Sequence, residues 1–324
     1  MKKNMSLIVA SLIVLGVIGF IGYRSYQEAH PKIPSTFDNL KVAYQEDGIN
    51  NYLMIDIAED KGYFKQNGIT VERKVGLKSI SSFVISGEVD ISQSALGVPL
   101  SGFFADQDLK VLAITEKYSS MMNIVSRFSE DKLASIKNVE VDRVGGAIQN
   151  NFWVMSKNLG LDSGAMNYVV SASPQATVAL LNKGSVDLGM ITNYEAIKTL
   201  REGGKYTFID PQKAYQGVSS PLGIVSTSKT INEKSDALKR YIASVKKASA
   251  YFSKHKDEMV TFITNKYGFG KEDAEAAYNN ITVSTKGLDY TVDVNMLKDI
   301  TESVKAVNKP SNPGRDIQEF VGKL

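Results

Sequence analysis

The sequence predicts two α/β lobes, each with a mainly parallel sheet flanked by helices, preceded by one N-terminal apolar segment. The order strand–helix–strand–helix–strand occurs twice, and such units form right-handed parallel crossovers. An Asn-Asn-aromatic motif stands at the start of a helix in both copies, at residues 50–52 and 150–152, which are 100 positions apart. A Gly-x-Val-Asp-aliphatic joint follows the second helix in both copies, at residues 87–91 and 184–188, which are 97 positions apart. The shared order and spacing indicate two matching halves.

The first copy begins with alternating apolar residues and continues into a helical pattern with Gly62 and Gly68 as stop signals. Alternation then returns, and a short apolar segment ends at Gly87. The predicted elements are a strand in 39–48, a helix in 51–68, a strand at 69–75, a short helix at 79–87 and a strand at 88–92.

The second copy repeats this order and adds a clear helix start, with Ser173 as N-cap and Pro174 at the first helical position. The joints contain Asp90 and Asp187, which we expect to accept hydrogen bonds from backbone donors at the turn rather than to contact a ligand. The predicted elements are a strand in 139–146, a helix in 150–160, a strand at 166–170, a helix in 173–184 and a strand at 185–191.

The N-terminal segment contains no charge from Met5 to Tyr23 and is long enough to span a membrane as a helix. Lys2 and Lys3 favour a cytoplasmic N-terminus, with the folded part outside the membrane. A cleaved secretory signal that releases the protein is the alternative, but small residues are poorly placed for cleavage. The sequence therefore favours an uncleaved membrane anchor over residues 1–24 and a spacer over 25–38.

Composition limits the possible functions. The chain has 38 basic and 35 acidic residues, and three of the basic residues lie in the first 24, so the remainder is balanced and does not predict nucleic-acid binding. Cysteine is absent, and the only histidines are His30 and His255, neither in a catalytic or metal-binding pattern. We therefore predict no catalytic residues, no metal site and no cofactor.

Several segments carry a resemblance to a known family. "IAEDKGYFKQNGITVE" at 57–72 is similar to the helix-to-strand signature of periplasmic substrate-binding proteins of ABC transporters. "SGEVDIS", "LASIKNVEVDRVGGAIQNNF" and "LLNKGSVDLGMITNYEA" follow in the family's order, so that the resemblance covers roughly 38–290. The chain resembles most the branch that serves sulfonates, nitrate, taurine and thiamine-pyrimidine precursors.

The resemblance implies a two-lobed type II periplasmic-binding-protein fold with two crossing hinge strands, in 121–127 and 221–227. Lobe one would comprise 39–126 and 221–324, with the C-terminal helices packed around it, and lobe two would comprise 127–220.

The resemblance also implies a function. The protein would be a monomer outside the cytoplasm that binds a small polar or heterocyclic organic molecule and delivers it to the permease and ATPase subunits of an ABC transporter. An extracellular sensory or scaffold protein of the same fold is one alternative, and a pyrimidine-forming enzyme of similar fold is another. The ligand could be a sulfonate, a nitrate-like anion, a pyrimidine or another heterocycle, because Asn193–Ala196 replaces the Trp-Glu-Pro that the family often has.

Polar and aromatic residues mark the edge where such folds bind ligands, at the carboxyl ends of parallel strands and the N-termini of the following helices. Asparagine side chains there could bind a polar ligand as the lobes close, or could serve only as helix caps. Likewise, the aromatic residues could stack on ligand or pack in the core, and Glu195 could bind an amine or only complement a helix N-terminus. The candidate ligand-binding residues are Tyr44, Gln45, Asn50, Asn51, Gln93, Ser94, Gln149, Asn150, Asn151, Asn193, Tyr194 and Glu195.

Overall fold

The computed structural model describes residues 34–46, 48–76 and 80–324, which form two five-stranded sheets flanked by helices. This confirms the predicted two-lobed α/β fold. The predicted membrane anchor over residues 1–24 lies outside the described residues. Among the helices that are described, none is both long and apolar enough to cross a membrane.

The first sheet contains the three strands predicted for the first copy and two further strands. Its strands are β1 (Asp38–Gln45), β2 (Ile69–Gly76), β3 (Ile91–Ala95), β4 (Lys110–Glu116) and β10 (Leu222–Ser226). The order is β2-β1-β3-β10-β4, in which β1 is parallel to β2 and β3, whereas β10 is antiparallel to β3 and β4. The helices of this lobe are α1 (Leu53–Asp60), α2 (Tyr63–Gln66), α3 (Ser81–Ile85) and α4 (Gly97–Phe104).

The second sheet has the same plan. Its strands are β5 (Asn123–Ser126), β6 (Asn138–Val141), β7 (Asn167–Val170), β8 (Leu188–Ile191) and β9 (Thr207–Ile209). The order is β7-β6-β8-β5-β9, with β6 parallel to β7 and β8, and β5 antiparallel to β8 and β9. Its helices are α5 (Ala147–Ser156), α6 (Pro174–Lys183), α7 (Tyr194–Glu202) and α8 (Pro211–Ala214).

In each sheet, the antiparallel fourth strand is the one that the chain enters on crossing from the other sheet. The chain crosses between β4 and β5 and returns between β9 and β10. The exact residues at which one lobe ends and the other begins remain a prediction. The predicted bounds assign residues 123–126 to lobe one, but these residues form β5 and pair with strands of the second sheet.

The repeated joints act as the sequence predicts. The Asp90 carboxylate accepts the Lys41 N–H at 2.8 Å, and the Asp187 carboxylate accepts the N–H groups of Lys137 and Asn138 at 3.0 and 2.9 Å. Because Asp90 is bound to β1 in this way, β3 begins at Ile91 and not at residue 88 as predicted.

The starts and ends of helices are also set by nearby residues. Ser173 caps α6 by accepting the Ala176 N–H at 3.2 Å, as predicted. Gly62 is a helix stop, as predicted: its φ of 68° is left-handed and divides the segment 51–68 into α1 and α2.

The C-terminal part of the chain corrects one expectation. It forms α9 (Ser228–Phe252), α10 (Lys256–Tyr267), α11 (Lys271–Thr285) and α12 (Lys298–Asn308). Whereas α9 packs on α1 and α2 in the first lobe, α12 packs on both α4 and α5 and so contacts the second lobe as well. Ile300 and Val304 of α12 belong to a hydrophobic core that also contains Phe152 of α5. The C-terminal helices therefore do not pack around lobe one alone, because α12 buries its apolar face against helices of both lobes.

Candidate ligand-binding site

A cavity of about 270 Å³ lies between the two lobes. Gln45 and Ala95, the last residues of β1 and β3, line it from the first lobe. Asp142 and Thr192, which follow β6 and β8, line it from the second. The cavity therefore occupies the carboxyl edge of both sheets, where open α/β sheets bind ligands.

Of the predicted residues of the first lobe, Gln45 and Asn51 line the cavity. Asn51 lies in a single 3₁₀ turn, Ile49–Asn51, just before α1 and is 9% exposed. Its side chain has no hydrogen-bond partner among the described residues. The turn has no side-chain cap, so the alternative that Asn51 is only a helix cap finds no support there.

The other predicted residues of the first lobe lie behind the cavity wall. Tyr44 is buried, and the centroid of its ring is 4.9 Å from that of Tyr52. The Asn50 Nδ2 group donates to Glu116 Oε2 at 3.2 Å. Gln93 and Ser94 of β3 are buried, and Gln93 Oε1 and Ser94 Oγ have no hydrogen-bond partner among the described residues.

In the second lobe, Asn151 lines the cavity and is 2% exposed. Its Oδ1 accepts the Tyr215 hydroxyl at 3.2 Å, and its Nδ2 has no partner among the described residues. Gln149 and Asn150 do not line the cavity. The Gln149 Oε1 atom accepts the Gly145 N–H at 2.7 Å, in the turn that precedes α5.

Asn150 is fully buried and joins α5 to α12. Its Nδ2 group donates to the Gly145 and Gly146 carbonyls at 3.2 and 2.9 Å and to Asn308 Oδ1 at 3.0 Å. The Ser303 hydroxyl donates to Asn150 Oδ1 at 2.9 Å. The two asparagines of this motif therefore face different surroundings.

The remaining candidates, at the start of α7, do not line the cavity either. Asn193 caps the helix by accepting the Ala196 N–H at 3.0 Å, and Glu195 is exposed in its first turn. Tyr194 stacks on Phe269 with a centroid separation of 4.0 Å, and its hydroxyl donates to Asp273 of α11 at 3.0 Å. These three residues stay predictions as ligand contacts.

Two acidic residues in the cavity wall were missed. Glu140 is the third residue of β6 and is 2% exposed, while Asp142 follows that strand directly. The sequence signal was present, since an acidic residue within the apolar alternation "NVEV" and another at the strand end both fall at the ligand-binding edge.

Burial sets the protonation of Glu140. The pKa of its carboxyl is raised to about 7, chiefly by removal from water and also by the Asp142 charge, while hydrogen bonds from the Met190 N–H and from Thr177 offset part of the rise. The Asp142 carboxylate accepts the Ile148 N–H of α5 at 3.2 Å. Among the described residues, no group of three or more His, Asp or Glu side chains is placed to hold a metal ion.

Comparison with known families decides the assignment, because the model of one family matches residues 50–259. The chain belongs to the NMT1/THI5 like family. The match spans both lobes and confirms the resemblance seen in the sequence. The search of curated proteins found no significant match.

Solved structures share the fold of this NMT1/THI5-like protein. A Candida albicans gene product with the generic periplasmic binding protein fold is 18% identical, with 89% of this chain and 97% of that chain covered and a TM-score of 0.66. The periplasmic aliphatic sulphonate binding protein SsuA from Escherichia coli is 13% identical, with 88% and 92% covered and a TM-score of 0.67. The ligand-binding component of an ABC-type import system from Staphylococcus aureus is 13% identical, with 88% and 96% covered and a TM-score of 0.68.

Contacts between the lobes of the NMT1/THI5-like chain include two that involve side chains of α11 and α12. The first is the contact of Asn150 with Ser303 and Asn308 described above. The second lies between α7 and α11, where Arg201 forms an ion pair with Asp273, the residue that also accepts the Tyr194 hydroxyl. Helices α11 and α12 therefore both link the lobes.

Proposed function

We propose that this protein is the extracytoplasmic solute-binding component of an ABC transporter, which closes two lobes around a small organic molecule and delivers it to a membrane permease. The observation that carries the proposal is the cavity between the lobes, which is lined from each lobe by one asparagine that has an amide nitrogen without a partner among the described residues. Asn51 belongs to the first lobe and Asn151 to the second.

The partnerless amide atoms of Asn51 and Asn151 are open to the cavity, so each lobe offers a hydrogen-bonding group to a ligand between them. A ligand that bonds to both residues would contact both lobes at once. Binding would therefore favour the closed arrangement of the lobes over an open one.

The partners and location follow from the same proposal. The protein would act as a monomer held at the outer face of the membrane by its N-terminal segment, beside the permease and ATPase subunits. Family membership and the fold shared with binding proteins of import systems support this placement.

The test is a thermal-shift screen of the full-length protein in detergent against a library of small organic solutes. A ligand that binds the native state raises the melting temperature with its concentration. We expect at least one such solute, bound without chemical change, and a smaller radius of gyration on binding. Chemical turnover of a bound solute would overturn the proposal in favour of an enzyme, and the absence of any ligand would also overturn it.

A further inference from the structure

The cavity has an acidic wall. Of the described residues that line it, Glu140 and Asp142 are the only charged ones, and none is Lys, Arg or His. Both belong to the second lobe, at the end of β6. An anionic ligand would therefore meet two carboxyl groups and no opposite charge.

Two helix N-termini of the second lobe at this edge already have an acceptor in their first turn. Helices can bind anions through the free N–H groups of their first turn. Here the Ile148 N–H of α5 donates to Asp142, and the Ala176 N–H of α6 donates to Ser173, while Pro174 has no N–H. At α5 and α6 the chain thus supplies its own acceptor where an anion would otherwise bind.

The rest of the cavity is polar on one side and apolar on the other. The amide of Asn51 and the Nδ2 group of Asn151 have no partner among the described residues, and both residues are at least nine-tenths buried. Met122, Met190 and Leu222 supply apolar wall. A volume of about 270 Å³ fits a compact molecule with an apolar body and polar ends.

We infer that the cavity binds a compact organic cation, such as an ammonium or amidinium compound, whose N–H groups donate to Glu140 and Asp142. This inference rests on the proposed function of solute binding. The amides of Asn51 and Asn151 bind the other polar end of the molecule, and the apolar residues enclose its body.

The protonation of Glu140 fits a cationic ligand. Its charged neighbour is Asp142, and Thr177 and the Met190 N–H are its polar neighbours. With a pKa of about 7, the Glu140 carboxyl is partly protonated in the empty site at neutral pH. A cation favours the carboxylate and releases that proton, so its affinity rises with pH by up to about tenfold per unit below pH 7.

The experiment measures binding to the full-length protein in detergent with three matched sets of probes, by calorimetric titration at pH 7.5. The cations are butylammonium and benzamidinium, the anions are butanesulfonate and benzoate, and the neutral compounds are benzamide and 4-aminopyrimidine. We expect the cations to bind at least tenfold more tightly than the other probes.

Two substitutions test whether the acidic wall causes the selectivity for cations. Glu140→Gln keeps the shape of the side chain and an acceptor for the Met190 N–H, so it retains the fold, and Asp142→Asn keeps an acceptor for the Ile148 N–H. Each should weaken benzamidinium or butylammonium binding at least tenfold. The control Glu202→Gln, at an exposed position outside the cavity, should change binding less than twofold.

The outcomes separate this inference from the proposed function. Tighter binding of an anionic or neutral probe overturns the cation assignment and leaves solute binding intact. If Glu140→Gln and Asp142→Asn bind the cations as tightly as the wild type does, the cation assignment is also overturned. If no probe of any class binds and the wider solute screen also fails, both the inference and the proposed function are overturned.

Discussion

The two Asn-Asn pairs occupy corresponding places in the two lobes, yet within each pair the asparagines differ in what they contact. The second asparagine of each pair, Asn51 or Asn151, lines the cavity. The first has structural partners, which are Glu116 for Asn50 and the α12 residues Ser303 and Asn308 for Asn150. Adjacent residues with the same side chain thus separate into one that faces the cavity and one that holds the protein together.

The largest expected effect is on stability, from Asn150→Ala. This change removes a fully buried amide that bonds to Gly145, Gly146, Ser303 and Asn308, and it leaves several of those groups unpaired. We expect the free energy of unfolding to fall by about 2–4 kcal/mol in urea denaturation. The control Asn265→Ala, at an exposed asparagine of α10, should change it by less than about 1 kcal/mol. Equal effects of the two substitutions would contradict the structural role of Asn150.

The next effect is on binding, from Asn51→Ala and Asn151→Ala. Each removes an amide that faces the cavity, and a lost hydrogen bond to a buried ligand costs about 1–3 kcal/mol, or about 5- to 150-fold in affinity. Calorimetric titration with the strongest-binding probe should show this loss in both variants, with melting temperatures within a few degrees of the wild type. Unchanged affinity would show that the cavity-facing asparagines do not contact the ligand.

A third effect is the pH dependence of stability that Glu116, the partner of Asn50, should cause. Glu116 is buried at the end of β4. Burial raises the pKa of its carboxyl from 4.5 to about 7, after hydrogen bonds from Ser120, Asn50 and Ser284 have offset part of the effect. Between these values the folded protein keeps a proton that the unfolded chain has lost. The free energy of unfolding should therefore fall as pH rises from about 4.5 to 7, by up to about 1.4 kcal/mol per unit for this group.

Urea denaturation of Glu116→Gln across this pH range measures that contribution. The substitution should remove one part of the slope, and Glu140→Gln should remove a similar part, since the pKa of Glu140 is raised in the same direction. The variant Glu195→Gln should keep the wild-type slope. A slope that is the same in Glu116→Gln and in the wild type would show that the folded protein does not hold this proton.

The smallest effect concerns the second contact between the lobes. The side chains of Arg201 and Asp273 are 42% and 26% exposed, and partly exposed ion pairs contribute about 0–1 kcal/mol. Arg201→Ala should therefore change stability by less than about 1 kcal/mol. It should nevertheless raise the radius of gyration of the ligand-free protein in X-ray scattering, because one link between the lobes is lost. An unchanged radius would leave the Asn150 contact as the dominant link.

Much of the fold was predictable because its signals are local. Alternating apolar residues located β1, β2 and β7, and Ser173 with Pro174 located the start of α6, since each depends on residues within one turn or strand. The aspartates of the two joints were assigned correctly for the same reason. The site was predictable only in part: Gln45, Asn51 and Asn151 line the cavity, whereas Glu140 and Asp142 were missed.

The sequence by itself determined the duplicated order of strands and helices, the family and the edge of the sheets at which polar residues collect. These properties follow from local periodicity and from motifs that a chain carries whatever it packs against. Only the tertiary structure decided which asparagine of each pair faces the cavity, because Asn150 turns to Asn308, 158 positions away in the chain. It likewise decided that Glu140 is buried in the cavity wall and that α12 joins both lobes, since burial and long-range contact depend on elements that are distant in sequence.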